Sequence, residues 1–172
     1  MPHLNVTVGV RCRGRRNFEP KRPGDVGYDL FVVIRREDQT FIDRLVSFFA
    51  GVPCIVIQPI VGVRTIRSDL HLVMPNEVWA EVRPRSSTSR RKLSVLGGTI
   101  DSGYRGEMFT VLHNLGFMPR VVVDGERYAQ VVFHWAARPA IRYISEDALR
   151  AVVENDQQAG GRGADGFGST GA

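Results

Sequence analysis

Residues 78–83 read Val-Trp-Ala-Glu-Val-Arg, and the fold turns on that stretch. Val78, Ala80 and Val82 alternate with Trp79, Glu81 and Arg83, which is the period of a strand with one buried face. The alternation recurs on both sides. Leu4, Val6, Val8 and Val10 fall on one face of a first strand, and residues 54–57, 61–66, 108–112, 121–123 and 128–135 read as further strands. Turn signals separate them: Arg22-Pro-Gly-Asp, Gln58-Pro, Met74-Pro-Asn, Gly97-Gly98 and Asp124-Gly125. Many short strands between such turns predict an all-β fold, a jelly-roll-like β-barrel.

Two segments depart from this period. At residues 40–51 Thr40 is an N-cap with Asp43 three residues later, and Gly51 and Pro53 supply a stop, so a short helix is expected. Phe41, Leu45, Phe48 and Phe49 share one side of it. That side is expected to pack on the barrel or on a neighbouring subunit; the alternative is a docking site for another protein. Residues 155–172 are rich in glycine and hold one large apolar residue, Phe167. Such a stretch buries too little surface to offset its ordering entropy, so it is expected to be a flexible tail unless a ligand holds it. The barrel domain is then residues 1–154.

The chain has 172 residues, 43% of them hydrophobic, which suits one domain with a real core. No apolar run reaches the roughly 18 residues of a membrane span. The N-terminal stretch lacks the order of a secretory signal, so a cytoplasmic protein is expected. Cys12 and Cys54 form no CxxC, and His3, His71, His113 and His134 form no ligand-spaced cluster, which argues against a protein-built zinc site. The net charge of +5 comes almost wholly from arginine and suits an anionic partner. The arginines are scattered and no DNA-binding motif is present, so direct nucleic-acid binding is not expected.

Three places carry chemistry. Gly97-Gly-Thr-Ile-Asp-Ser-Gly-Tyr-Arg-Gly-Glu107 sets the carboxylate of Asp101 three residues before an aromatic, in a turn whose glycines let a ligand approach the backbone. Arg83-Pro-Arg85-Ser86-Ser87 offers guanidinium forks and hydroxyls suited to phosphate oxygens. Arg162-Gly-Ala-Asp-Gly-Phe167-Gly168-Ser169-Thr-Gly171 is similar to a phosphate cradle, although no lysine follows and no helix begins as in a Walker loop.

In order, these pieces resemble the trimeric deoxyuridine triphosphatases (dUTPases), a family with five short motifs. Residues 24–30, Gly-Asp-Val-Gly-Tyr-Asp-Leu, look like the first. Residues 83–87 look like the second, and 98–107 like the third. Asp124-Gly-Glu-Arg-Tyr-Ala-Gln130 is similar to the fourth, and 162–171 to the fifth. The resemblance spans residues 20–172.

It implies hydrolysis of dUTP to dUMP and pyrophosphate with Mg²⁺, in a homotrimer whose active sites combine motifs from all three chains. It implies that Asp101 activates the attacking water and holds the 3′-hydroxyl. Tyr104 would pack on the sugar and refuse a 2′-hydroxyl. Gly98, Thr99 and Ile100 would read the uracil edge through their backbone, in a hairpin too tight for thymine's methyl. Arg85, Ser86, Ser87 and Gln130 would hold phosphates, with Asp29 near the water shell of a metal bound through the triphosphate. Arg162, Phe167, Gly168 and Ser169 would close over the γ-phosphate and the base.

Two departures stand out. The chain is longer between the first two motifs, where the 40–51 helix falls, and an asparagine that some relatives place six residues before the aspartate is Val95 here. A dCTP deaminase on the same fold needs a glutamate about ten residues past the aspartate, where this chain has Val111. A further reading is a dUTPase-fold regulator that binds a protein partner through the 40–51 insert.

Overall fold

The computed structural model describes residues 18–159. The chain divides into two compact units, one ending at Ala137 and one beginning at Arg138. Among the described residues the first holds nine strands, all antiparallel, in three sheets. They are β1 (Gly27–Phe31), β2 (Cys54–Ile57), β3 (Val63–Arg67), β4 (Val78–Pro84), β5 (Leu93–Leu96), β6 (Thr99–Ile100), β7 (Phe109–Asn114), β8 (Arg120–Val123) and β9 (Arg127–Trp135). One sheet runs β1-β9-β4-β6, a second β3-β7-β5, and a third pairs β2 with β8. The all-β expectation therefore holds. The proposed strand at residues 4–10 lies outside the described residues.

Period-two patterning explains the burial. In β4, Val78, Ala80 and Val82 point into the core while Trp79 and Glu81 are half-exposed. Leu30, Ile55, Ile57, Ile66, Leu112, Tyr128 and Val131 reach the same core from the other strands. Burial on this scale, at about 25 cal/mol per Å² of apolar surface, is what holds the sheets together. Cys54 is a free, buried thiol at the start of β2.

Helix α1 (Phe41–Ala50) forms where expected, and for the expected reasons. The Thr40 side chain accepts the Asp43 N–H, the Asp43 carboxylate accepts the Thr40 N–H, and Gly51 ends the helix in the left-handed region at φ 68°. The face turned to this chain's sheets is not the expected one. Asp43 is fully buried, whereas Phe41, Phe48 and Phe49 are about four-fifths exposed and Leu45 half-exposed. The reason is chemical. One oxygen of Asp43 accepts the Val56 N–H at 2.7 Å, and the other accepts the Thr40 N–H, the Thr40 hydroxyl and the Arg64 guanidinium. Ser47 adds bonds to Cys54, accepting its N–H at 2.9 Å. A carboxylate with four donors is secure indoors, and the phenylalanines are left outside.

Two further helices carry no sequence expectation. Helix α2 (Ser86–Arg90) follows β4 directly. Helix α3 (Glu146–Gln158) belongs to the second unit, begins behind Ser145 and carries an Arg150–Glu146 ion pair one turn apart. It runs through 155–158, the first residues of the glycine-rich segment.

Candidate functional site

Register assembles the first half of the site. In the sheet β1-β9-β4, Asp29 stands opposite Gln130, and Gln130 stands opposite Arg83. The first, second and fourth motifs therefore meet side by side. Pro84 ends β4, Arg85 turns the chain in extended conformation, and α2 begins at Ser86. Thr88 donates its hydroxyl to the Tyr128 carbonyl at 2.6 Å and so fastens α2 to β9. At the far end of α2, Arg91 pairs with Glu126 and donates to the Val121 carbonyl. The phosphate-binding candidates are thus carried on backbone tied at both ends.

Asp29 does more than stand nearby. Its two oxygens pair with different arginines: Oδ1 with Arg85 Nε at 2.7 Å and Oδ2 with Arg127 at 3.0 Å. It aims the Arg85 guanidinium at an open cavity of about 370 Å³, lined by Lys21, Asp25, Val26, Gly27, Asp29, Arg85, Ser86 and Gln130. Gln130 donates to the Pro84 carbonyl and lies across Gly27, where a Cβ would meet its Oε1 at 2.2 Å. The bare glycine lets the Gln130 amide settle in that position. Lys21 and Asp25 are residues to which sequence reasoning gave no role, although Asp25 lies within the first motif and Lys21 just ahead of it. Ser87 sits beside Arg85, which approaches its hydroxyl at 3.5 Å, but does not line the cavity.

The third motif is built elsewhere. Gly97 and Gly98 take φ of 70° and 151°, which side chains rarely adopt, and a Cβ on Gly98 would lie 2.8 Å from the Val82 carbonyl. β5 pairs with β7 and β6 with β4, so the two glycines carry the chain from one sheet to another. Beyond them Gly98 accepts from Val82, Thr99 stands opposite Glu81 and Ile100 opposite Ala80. Asp101 follows, exposed, with its carbonyl accepting the Tyr104 N–H at 3.0 Å. Tyr104 is also exposed and donates its hydroxyl to the Glu107 carbonyl at 2.8 Å.

One chain does not bring the two halves together. Ile100 pairs near the start of β4, whereas Arg85 lies past its end. At about 3.3 Å per residue the Asp101 and Arg85 backbones are roughly 15–20 Å apart along that strand. Arg162, Phe167, Gly168 and Ser169 lie outside the described residues. Among the described residues no cluster of three or more His, Cys, Asp or Glu is placed to hold a metal. A larger cleft, about 640 Å³, contains none of the expected site residues; Arg35, Arg36, Glu37, Asp69, His71 and Glu107 line it with Ile34.

Comparison with known proteins follows the same lines. The family model described as dCTP deaminase-like matches residues 66–136. The deoxyuridine 5′-triphosphate nucleotidohydrolase of cowpox virus is 33% identical over 175 residues, covering 99% of each chain. Its namesake from Wolbachia (Brugia malayi) is 37% identical over 109 residues, 62% of this chain and 65% of its own length. Among solved structures, the Staphylococcus bacteriophage 80alpha dUTPase with dUPNHPP matches at a TM-score of 0.70 and 20% identity, covering 98% of this chain and 99% of that one. A mutant dUTPase from phage phi11 of S. aureus, described with a coordinated structural Mg(II) ion, matches at a TM-score of 0.66 and 18% identity, over 83% of this chain and 97% of its own. At these identities the structures establish a shared fold.

Proposed function

This chain belongs to the deoxyuridine 5′-triphosphate nucleotidohydrolase family, and from that premise we infer that it hydrolyses dUTP to dUMP and pyrophosphate by attack of water on the α-phosphorus. The observation that carries the reading is the convergence of Asp29, Arg85, Ser86 and Gln130 from three motifs on one cavity beside Lys21. Arg85, held by Asp29, offers a fixed fork to phosphate oxygens, and Ser86 and Gln130 add neutral donors. Phosphoryl transfer needs little more from the protein than positioning and neutralised charge.

Asp101 activates the attacking water as general base, and Tyr104 packs on the deoxyribose and excludes a 2′-hydroxyl. Gly98, Thr99 and Ile100 read the uracil edge, and Arg162, Phe167, Gly168 and Ser169 close the site. Because both oxygens of Asp29 pair with arginines, Mg²⁺ fits best as an ion held by the triphosphate and waters, with Asp25 and Asp29 beside its water shell. When bound, the ion offsets phosphate charge. The deaminase alternative gains nothing from Val111, a half-buried strand residue opposite Thr65 that offers no proton-transfer group.

Pyrophosphate release from dUTP, dCTP, dTTP and UTP with Mg²⁺ tests the activity. We expect dUTP to be the preferred substrate by orders of magnitude; ammonia release from dCTP would move the chain to the deaminases.

The separation of Asp101 from Arg85 favours a site shared between chains of a homotrimer. Mixing Asp101→Asn chains with Arg85→Ala chains should then restore part of the activity that each lacks alone. Failure of every mixture to exceed its components would refute sharing. The exposed face of α1 is the surface that a neighbouring subunit or a protein partner would cover. The mass of a Phe48→Ser/Phe49→Ser assembly separates the two, because dissociation assigns the face to the trimer and an intact trimer leaves it for a partner.

A further inference from the structure

The turn that carries Asp101 and Tyr104 ends at Glu107, whose side chain is nine-tenths buried. Three groups surround its carboxylate. Arg67 Nη1 donates to Oε2 at 2.7 Å, the Asp69 N–H donates to Oε1 at 3.1 Å, and Arg35 stands 3.6 Å from Oε2. These groups are themselves held. Arg67 pairs through Nε with Asp38 at 2.9 Å and lies over the Phe109 ring, and Arg35 pairs with Asp69 at 2.8 Å. Asp69 takes φ 54°, in the left-handed region, beside the N–H that it gives to Glu107. A buried carboxylate with charged, hydrogen-bonded partners is a rigid anchor.

The main chain of the same residue faces the other way. Its carbonyl accepts the hydroxyl of Tyr104. Between the two lies Gly106, where a Cβ would sit 2.4 Å from the Tyr104 hydroxyl oxygen and 2.6 Å from the ring carbon that bears it. The phenol end of the tyrosine therefore lies against a bare glycine and is pinned by the next carbonyl. The Met108 N–H, in the same peptide plane as that carbonyl, donates to Leu70, and the Met108 carbonyl accepts the Ser68 hydroxyl, so the plane is tied on its β7 side while the Glu107 side chain ties it on the other. Loosening Glu107 would leave β7 in place and release the segment between Asp101 and Glu107.

We propose that Glu107 is a positioning residue for sugar selection: its buried ion pair with Arg67 fixes the carbonyl that pins the Tyr104 ring over Gly106. This rests on the reading of Tyr104 as the group that excludes ribose. Glu107 touches no substrate and acts through Tyr104 alone. The alternative is that Glu107 only joins β3 to β7, in which case its loss lowers stability and leaves selectivity untouched.

The experiment compares kcat/KM for dUTP and UTP in the wild type, Glu107→Gln, Gly106→Ala, Tyr104→Ala and the Tyr104→Ala/Glu107→Gln double variant, with melting temperatures alongside. Glu107→Gln keeps size and loses charge, and we expect the dUTP:UTP ratio to fall about tenfold, the effect of losing one charge-assisted contact. Gly106→Ala leaves the ion pairs intact and displaces the ring sterically, so its ratio should fall as well. The double variant should match Tyr104→Ala alone, because residues that act in series are not additive. An unchanged ratio in Glu107→Gln would overturn the proposal whatever Gly106→Ala shows, as would a double variant in which the two losses multiply. A loss of folded protein lowers both substrates together and does not move the ratio. Should the wild type fail to hydrolyse dUTP, or should Tyr104→Ala keep the wild-type ratio, the underlying reading fails first, which keeps the two failures distinct.

Discussion

Asp101→Asn is expected to fold, to bind dUTP and to lose turnover by about 10²–10⁴, the usual cost of removing a general base. The structure makes this a clean substitution. Asp101 is exposed, and its one described backbone bond, from the Tyr104 N–H, uses the carbonyl that asparagine keeps. Exposed substitutions of this kind move stability by about 0.5 kcal/mol or less, so the melting temperature should hardly change. What changes is chemistry. An amide oxygen accepts a hydrogen bond from water but takes no proton near neutral pH, so the water is placed yet not activated. Binding should survive because the phosphate candidates Arg85, Ser86 and Gln130 stand apart on the neighbouring strands and on α2. Single-turnover kinetics with dUTP, alongside binding of a non-hydrolysable analogue, separates the two effects. Near-normal turnover would remove Asp101 from the chemistry. Equal losses of binding and turnover would make it a sugar ligand and nothing more.

The sequence is most legible where one face of a strand is buried. β4 and β7 alternate in burial over most of their length and lie where period two puts them, while β9 breaks the rule by burying the adjacent Tyr128 and Ala129. β1 escapes the same test because Gly27 and Asp29 line the cavity and Tyr28 stacks with Phe18 and Phe133, so that only Leu30 is fully buried. α2 escapes for a different reason. Ser-Ser-Thr-Ser-Arg has poor helix propensity, and the helix stands on Thr88 bonding to β9, a contact no local window contains. α3 did carry a local signal in Ser145, Glu146 and Asp147 ahead of good helix formers, which the glycine-rich composition after it obscures. For the site, short motifs locate the groups but not their separation. Only the register of β4 against β6 and β9 shows that Asp101 and Arg85 sit at opposite ends of one strand. The role of Asp29 as the partner of two arginines is equally invisible before the strands are paired. The 40–51 helix is the instructive case: capping residues fixed its limits, but its apolar stripe does not mark the face that meets this chain's own sheets. Amphipathic patterning assumes that hydrophobic surface decides which side is buried. Here four polar bonds to one carboxylate decide it.

That carboxylate carries the largest stability effect expected in the molecule. Asp43→Ala should destabilise the fold by about 3–5 kcal/mol, the range found when one partner of a buried ion pair is removed. Arg64 would keep its charge in a mostly buried place, with the Asp38 and Val56 carbonyls left as its partners among the described residues. The buried Val56 N–H would lose its acceptor, and α1 would lose its N-terminal box. No hydrophobic contact offsets this, because the helix's phenylalanines already face outward. The pH dependence has a definite sign. Burial pushes the Asp43 carboxyl up, but Arg64, the Val56 N–H and Thr40 together hold it below its ordinary value of 3.8. A carboxyl lowered in the folded state contributes its stability fully above the unfolded value and loses it as pH falls through the folded one. The wild type should therefore lose part of its stability on acidification below about pH 4, and Asp43→Ala should show a shallower decline over the same range. Urea unfolding at pH 7 and at steps from pH 5 to pH 3 measures both. Parallel acid slopes in the two proteins would mean that other carboxylates govern the acid limb, and a loss near 1 kcal/mol at pH 7 would mean that water readily replaces Asp43 at Arg64 and Val56.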